Sequence, residues 1–139
     1  MIRPIVHTQF MLNRVAQDAV AHSAEDMQIA QDLSDTLTAH AHECVGMAAN
    51  MIGKNKRIII FDDKGTQRIM YNPNITAAHG AYDTEESCLS LEGVRPCKRF
   101  RSITVSFLDE SFTQKTENFV GFTAQIIQHE IDHTNGILI

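Results

Sequence analysis

Residues 123–136, TAQIIQHEIDHTNG, are the stretch that decides the fold. Three apolar residues recur there at the three- and four-residue spacing of one helix face: Ala124, Ile127 and Ile131. Thr123 is a residue type that caps helix N-termini, and Gly136 stands where a C-terminal glycine would stop a helix. The pattern therefore predicts a C-terminal helix over residues 123–136.

Residues 129–133 of that helix spell HEIDH, which is an HExxH pattern. Side chains four residues apart project from the same helix face, so the imidazoles of His129 and His133 can converge on one cation. Glu130 lies beside them and can act as a proton carrier for a water that the cation activates. The alternative is a solvated helix face whose histidines only hydrogen-bond their neighbours.

A catalytic cation needs a third protein ligand and an open position for water. The six residues after His133 contain no His, Cys, Asp or Glu, so the third ligand has to come from upstream. Cys88 is the best candidate because its segment, residues 85–90, EESCLS, is acidic and polar. An isolated cysteine of this kind can also be a small core thiol.

The rest of the chain predicts one further helix and two antiparallel strand pairs. The helix begins after Ser23 and ends near Gly46, and the strands cover residues 57–61, 68–71, 102–108 and 115–122. Helix, strands, strands, helix is the order of an α+β fold. A length of 139 residues fits a single domain, residues 1–139.

Composition excludes several classes of partner. The net charge is −5 and the basic residues are scattered, so we expect no nucleic acid and no anionic lipid as a primary ligand. The longest apolar runs are far shorter than the roughly 20 residues of a membrane span, and no signal peptide is evident, which predicts a cytoplasmic protein. Three cysteines are too few for a disulfide framework, so we expect reduced thiols.

Three motifs resemble those of peptide deformylases, which remove the formyl group from the N-terminal methionine of newly made bacterial proteins. Residues 46–49, GMAA, resemble the core of GxGxAAxQ; residues 86–90, ESCLS, resemble EGCLS; and residues 128–133, QHEIDH, resemble QHExDH. Order and spacing agree over about residues 40–139. The resemblance implies antiparallel sheets packed around a central C-terminal helix, with an N-terminal helix, in a short form without a C-terminal extension.

The resemblance also implies roles for five residues. Cys88, His129 and His133 bind one divalent ion, Fe²⁺ in the cell, with Zn²⁺ or Ni²⁺ able to replace it; ligand chemistry alone suits several first-row ions. Glu130 takes a proton from the activated water and returns it to the departing amine. The backbone N–H of Leu89 donates to the oxyanion. The implied substrate is an N-formyl-methionyl peptide met near the ribosome exit, and the oligomeric state stays unknown.

The first motif departs from the family pattern at its glutamine, a second oxyanion donor, which is Met51 here. A thioether cannot donate a hydrogen bond, and losing such a donor costs about 10² to 10³ in turnover unless another group, such as Asn50, substitutes. The first glycine of that motif is Cys44, and the glycine of EGCLS is Ser87. Three functions stay open: a deformylase, an amidase or peptidase with weak or altered activity on another acyl group, and a non-catalytic metal-binding relative.

The predicted substrate-binding residues are Gly46, Met51, Phe122 and Ile126. Phe122 and Ile126, with Gln125, could line an apolar pocket, or the two apolar residues could simply belong to the core. Gly46 could let the substrate backbone approach closely, or could only end the preceding helix.

Other polar residues carry predictions of their own. Glu86 is expected to hold a ligand imidazole, or to be a solvated acid. The basic residues after Cys88 are expected to meet the substrate or to form an exposed turn: Arg95, Lys98, Arg99 and Arg101. Cys44, on the apolar face of the first helix, and Cys97 are expected to be non-ligand thiols. The remaining histidines are expected to be structural or exposed: His7, His22, His40, His42 and His79.

Overall fold

Five antiparallel strands form one sheet in which spatial order follows chain order, as seen in a computed structural model that describes residues 1–139. The elements are helix α1 (Gln9–Leu12), helix α2 (Ala24–Ala39), strand β1 (Gly46–Ala48), a one-turn 3₁₀ helix (Ala49–Ile52), strands β2 (Ile58–Asp63), β3 (Thr66–Cys88), β4 (Leu91–Leu108) and β5 (Gln114–Val120), and helix α3 (Gly121–Thr134). The predicted α+β class is confirmed. No helix is long and apolar enough to cross a membrane.

Strands β3 and β4 are much longer than the sequence predicted. They pair with each other from Tyr71↔Leu108 to Cys88↔Leu91, so the two predicted strand pairs are parts of one sheet. The predicted end of the second strand at residue 71 is wrong. The chain instead continues through a register shift between Tyr71 and Asn74, where Asn72 has a φ of 52°. Such a bulge accommodates a proline, which has no N–H for the ladder.

Helix α2 begins where the sequence predicted and ends earlier. The Ser23 hydroxyl accepts a hydrogen bond from the Asp26 backbone N–H, as a capping residue does. The helix stops at Ala39, however, and Gly46 is the first residue of β1, paired with Phe61. The prediction that Gly46 ends the helix is therefore wrong, because pairing with β2 buries this segment in the core.

Helix α3 begins two residues before the predicted cap. It starts at Gly121 after Val120, without a side-chain cap, so Thr123 lies inside the first turn and β5 stops at Val120 rather than at residue 122. Beyond its C-terminus, Gly136 has a φ of 74°, and an added Cβ would meet the Asn13 carbonyl oxygen at 2.7 Å. The predicted glycine stop is thus confirmed.

The sheet separates two apolar cores, one under each long helix. Ile58 and Ile60 of β2 face the core that α2 covers, whereas Ile59 and Phe61 face the core that α3 covers. This alternation explains why the run at residues 58–61 is apolar throughout, since successive strand residues point to opposite faces. The packing fixes α3 against the sheet and so positions the residues of the HExxH pattern.

Candidate metal centre

Cys88, His129 and His133 form a metal-binding group. Their candidate ligand atoms all lie within 4.8 Å of one another. The Cys88 Sγ is 3.3 Å from His133 Nε2, and that nitrogen is 3.1 Å from His129 Nε2. One sulfur and two imidazole nitrogens are a donor set that suits first-row divalent ions. Three protein ligands leave a fourth tetrahedral position for water or substrate.

Two elements far apart in sequence bring the group together. His129 and His133 lie one turn apart on α3. Cys88 is the last residue of β3, directly before the two-residue connection Leu89-Ser90, and the Ser90 backbone N–H donates to its sulfur at 3.4 Å. The sulfur therefore stands at the tip of the longest hairpin, and the sheet places that tip against the helix.

A buried ionic network holds His129 from behind. Glu86 Oε1 lies 2.7 Å from His129 Nδ1, which confirms the predicted contact between Glu86 and a ligand imidazole. Arg99 donates to Glu86 at 2.8 Å and to Asp132 of α3 at 2.8 Å, so it links the hairpin to the helix. Only 4% of the Arg99 surface is exposed, so the expectation that it meets substrate or forms an exposed turn is wrong.

The network also decides the charge of its carboxylate. Burial disfavours an ionised Glu86, but hydrogen bonds from His129, Arg99 and Gln125 outweigh it and lower its pKa to about 2. Glu86 therefore stays an acceptor, and an acceptor at His129 Nδ1 leaves Nε2 free to act as a ligand. The second ligand differs, because the buried Nδ1 of His133 has no partner in the protein.

Glu130 follows His129 on α3 and lies beside the metal-binding group. It is almost fully buried, and its Oε1 has no hydrogen-bond partner. Burial raises the pKa of Glu130 to about 7, although the neighbouring charge of His129 acts in the opposite direction. An unpartnered carboxylate in this position can accept or donate a proton at the cleft.

The metal-binding group opens into a cleft of about 320 Å³. Helix α3 supplies one side, called the helix wall: Phe122, Gln125, Ile126, His129 and Glu130. Strand β1 and the residues that flank it supply a second side, called the loop wall: Cys44, Val45, Gly46 and Met51. The hairpin tip, including Cys88 and Leu89, closes a third side. The four predicted substrate-binding residues, Gly46, Met51, Phe122 and Ile126, therefore all line one cleft, whereas the basic residues after Cys88 do not.

The apolar residues of the helix wall divide between cleft and core. Ile126 is only 6% exposed and packs in the core under α3, so it belongs to both. Phe122 is 64% exposed at the rim, which argues against the alternative that it is simply core.

Gly46 brings the two walls into contact. A Cβ added there would lie 2.8 Å from Ile126 Cγ2 and 2.9 Å from Glu130 Oε2. Atoms do not approach so closely without something shifting, so the loop wall can lie against the Glu130 carboxylate only because residue 46 has no side chain.

Two predictions about the loop wall are wrong. Asn50 cannot replace the missing glutamine, because it is buried and its amide donates to the His133 backbone carbonyl at 2.9 Å, away from the cleft. Cys44 does not lie on a helix face. It lies in the cleft, where its thiol contacts the Gly46 carbonyl oxygen at 2.9 Å, and burial, followed by the charge of Glu130, raises its pKa to about 12.

Sequence reasoning missed three contributors to the ionic network. Asp132 and Arg99 form the far part of the ionic network, and the Gln125 amide donates to Glu86 Oε2 at 2.8 Å. Gln125 was expected to line the pocket, and it does, but its contact with Glu86 was not predicted. Its four-residue spacing to His129 puts both on one helix face, so a shared partner could have been inferred. Arg99 had no such signal, because its partners come from a strand and a helix distant in sequence.

Comparison with known proteins gives one consistent result. A family model described as polypeptide deformylase matches residues 2–139. A peptide deformylase of Clostridium beijerinckii is 48% identical over 139 residues, which cover 100% of both chains. Among solved structures, a peptide deformylase from Legionella pneumophila matches with a TM-score of 0.89 and 32% identity, over 99% of this chain and 83% of that one. The Met-Ala-Ser-bound enzyme of Acinetobacter baumannii matches with a TM-score of 0.90 and 28% identity, over 99% and 97%.

Proposed function

The chain belongs to the polypeptide deformylase family, and we propose that it is a metal-dependent hydrolase that removes the N-formyl group from the N-terminal methionine of nascent polypeptides. One observation carries the proposal within the molecule. The group formed by Cys88, His129 and His133 shares a cleft with Glu130, a buried carboxylate whose Oε1 has no other partner. A structural site would not need a free carboxylate beside its ligands.

The ligands would be Cys88, His129 and His133. The ion we propose for the cell is Fe²⁺, with Zn²⁺ or Ni²⁺ able to replace it, because a thiolate with two imidazoles accepts all three. A divalent cation held there would supply Lewis acidity, which lowers the pKa of a coordinating water and polarises the formyl oxygen. Glu86 would keep the His129 ring in the orientation and tautomer that binding requires.

Glu130 would move the proton. Its Oε1 faces no competing donor, and contact with Gly46 fixes the position of the carboxylate at the cleft. In the proposed reaction Glu130 accepts a proton from the attacking water and then gives it to the amine as the carbon–nitrogen bond breaks. The products are formate and a peptide with a free N-terminus.

The oxyanion would rely on a backbone donor. Leu89 follows Cys88 directly, so its backbone N–H lies next to the ligand sulfur. On the opposite side Met51 lines the cleft without a donor, and Asn50 is engaged elsewhere. We therefore expect slower turnover than in an enzyme with two donors.

The apolar residues of the cleft suit a methionine side chain. Phe122 and Ile126 of the helix wall and Val45 of the loop wall line the cleft, and Gly46 would let the peptide backbone approach. The Acinetobacter baumannii relative is described with Met-Ala-Ser bound, so formyl-Met-Ala-Ser is a suitable substrate. We place the reaction in the cytoplasm, near the ribosome exit where formylated chains emerge.

Formate release from formyl-Met-Ala-Ser tests the proposal. Protein reconstituted anaerobically with Fe²⁺, and separately with Zn²⁺, is compared with Glu130→Gln. We expect the variant to keep one ion per chain and to lose a factor of about 10² to 10⁴ in kcat. Glu43→Gln is the matched control, because Glu43 also lines the cleft but is exposed and pairs with His40. If the wild-type protein releases formate no faster than Glu130→Gln, the proposal that the chain is a deformylase is refuted.

A second candidate function follows from Met51. Without the glutamine donor, the chain could be a weak or altered amidase whose best substrate carries another small acyl group. The same assay with acetyl-Met-Ala-Ser distinguishes the two, since deformylation requires the formyl peptide to be preferred. Metal binding without hydrolysis of either peptide would identify a non-catalytic relative.

A further inference from the structure

Gln125 places a polar group on the otherwise apolar part of the helix wall. It lies on α3 between Phe122 and Ile126, one turn before His129, and is partly exposed to the cleft. Its Nε2 donates to Glu86 Oε2 at 2.8 Å. The same Glu86 oxygen accepts from Arg99 Nε at 3.0 Å, so the carboxylate is already well supplied with donors.

The orientation of the Gln125 amide is fixed by this contact. Both Glu86 oxygens accept hydrogen bonds from Arg99, so they are acceptors, and the nitrogen of the Gln125 amide, not its oxygen, faces Oε2. An amide nitrogen carries two hydrogens, and only one is used here. The second N–H and the amide oxygen make no hydrogen bond within the protein, and both remain for a molecule that enters the cleft.

A hydrogen-bond donor next to Phe122 and Ile126 changes which side chains this part of the cleft prefers. Burying a hydrogen-bond donor without giving it a new partner in place of water is unfavourable. An apolar peptide side chain at this position therefore binds more weakly than a side chain that carries an acceptor atom. We infer that Gln125 is a specificity-determining residue: its free N–H donates to an acceptor in the first side chain of the bound peptide. This rests on the proposed function for the placement of that side chain beside Phe122 and Ile126.

The inference ranks three side chains of similar length. Norleucine has no acceptor, the methionine thioether is a weak one, and the oxygen of methionine sulfoxide is a strong one. The contribution of Gln125 to peptide affinity should therefore increase from norleucine to methionine to methionine sulfoxide. A residue that only held Glu86 in place would affect all three peptides equally, because Glu86 lies against His129 whichever peptide is bound.

Peptide binding provides the test without requiring turnover. Isothermal titration of metal-loaded protein uses Met-Ala-Ser and its analogues with norleucine or methionine sulfoxide in the first position. Relative to the norleucine peptide, Gln125→Leu should weaken the sulfoxide peptide by about threefold to tenfold and the methionine peptide by less, as for a single hydrogen bond. Any common effect through Glu86 cancels in the ratio.

Two further variants make the result interpretable. Gln125→Met keeps an unbranched side chain of similar length and should give the same ranking as Gln125→Leu. Agreement between the two variants excludes poor packing of the leucine as the cause. Gln31→Leu is the matched control, because Gln31 donates to Asp35 at 2.9 Å on the exposed face of α2, and no residue of α2 lines the cleft. It should change none of the three affinities.

The outcomes separate this inference from the proposed function. Equal weakening of all three peptides by Gln125→Leu, or a wild type that binds none of them, overturns the role of Gln125. If the wild type binds the peptides with the expected ranking but releases no formate from formyl-Met-Ala-Ser, deformylation fails and the specificity role stands.

Discussion

The helix wall and the loop wall of the cleft are held in place by different forces. Behind the helix wall, charged groups do the holding: Arg99 joins Glu86, which contacts His129, to Asp132 on the same helix. The loop wall has no such network; the pairing of β1 with β2 and the burial of Met51 fix it. Salt bridges therefore orient the wall that carries the proposed chemistry, and packing orients the wall that we propose contacts the substrate.

This contrast follows the sequence motifs. The helix wall keeps the full family pattern QHExDH, whereas the loop wall departs from its pattern at Cys44 and Met51. Packing tolerates side chains of similar volume, but a buried ionic network does not tolerate the loss of one member. The loop wall could therefore change without disturbing the ligands.

The largest effect should come from breaking the network behind the helix wall. Arg99→Met leaves Glu86 and Asp132 without their shared cation, and an uncompensated buried charge costs about 3 to 5 kcal/mol. Urea unfolding measures this loss in the free energy of unfolding. Arg95→Met is the control, since Arg95 is a partly exposed arginine on the same strand whose guanidinium donates to the Glu92 backbone carbonyl and to no carboxylate. Its loss should change stability by no more than about 0.5 kcal/mol. If Arg99→Met and Arg95→Met lose the same free energy of unfolding, the ionic network does not hold the helix wall more firmly than packing does.

A gain of activity should come from changing the loop wall. Met51→Gln restores a side-chain donor at the cleft, and by analogy with oxyanion donors kcat for formate release should increase about 10²-fold with little change in KM. Met51→Leu has no donor and should leave kcat near the wild-type value. If Met51→Gln behaves like Met51→Leu, this part of the loop wall does not face the oxyanion.

The smallest effect should come from separating the two walls at their contact. Gly46→Ala forces a Cβ against Ile126 and Glu130 and should lower the free energy of unfolding by about 1 to 3 kcal/mol. Removing the Ile126 side chain relieves part of the clash, so Gly46→Ala should cost less in an Ile126→Ala background. Strictly additive losses in the two variants would mean that the walls do not touch there.

The sequence predicted best where the pattern is local. His129 and His133 are four residues apart on one helix, so their convergence follows from helix geometry alone. Cys88 was inferred by elimination and also follows from the resemblance to the family motif, and the structure brings its sulfur to 3.3 Å from His133 Nε2. The continuous apolar run at residues 58–61 predicted a strand, and its burial on both faces explains the lack of alternation.

The failures lie where long-range contacts decide. Strands β3 and β4 include many exposed polar residues and stay extended because they pair with each other, which no local pattern of either one reveals. Asn50 resembles a substitute donor in the sequence, but its amide is used by the backbone of α3. Arg99 resembles surface charge because its two carboxylate partners come from other elements.

The position of Cys88 at a hairpin tip has a consequence for how the centre matures. Two imidazoles are available as soon as α3 forms, whereas the thiol belongs to a residue 45 positions before His133 and arrives only when the sheet is complete. An incompletely folded chain therefore offers only two of the three ligands and should bind a metal ion weakly. Tight binding requires the native state. Metal binding and folding are thermodynamically linked, so an ion that binds only the native state should stabilise the completed sheet.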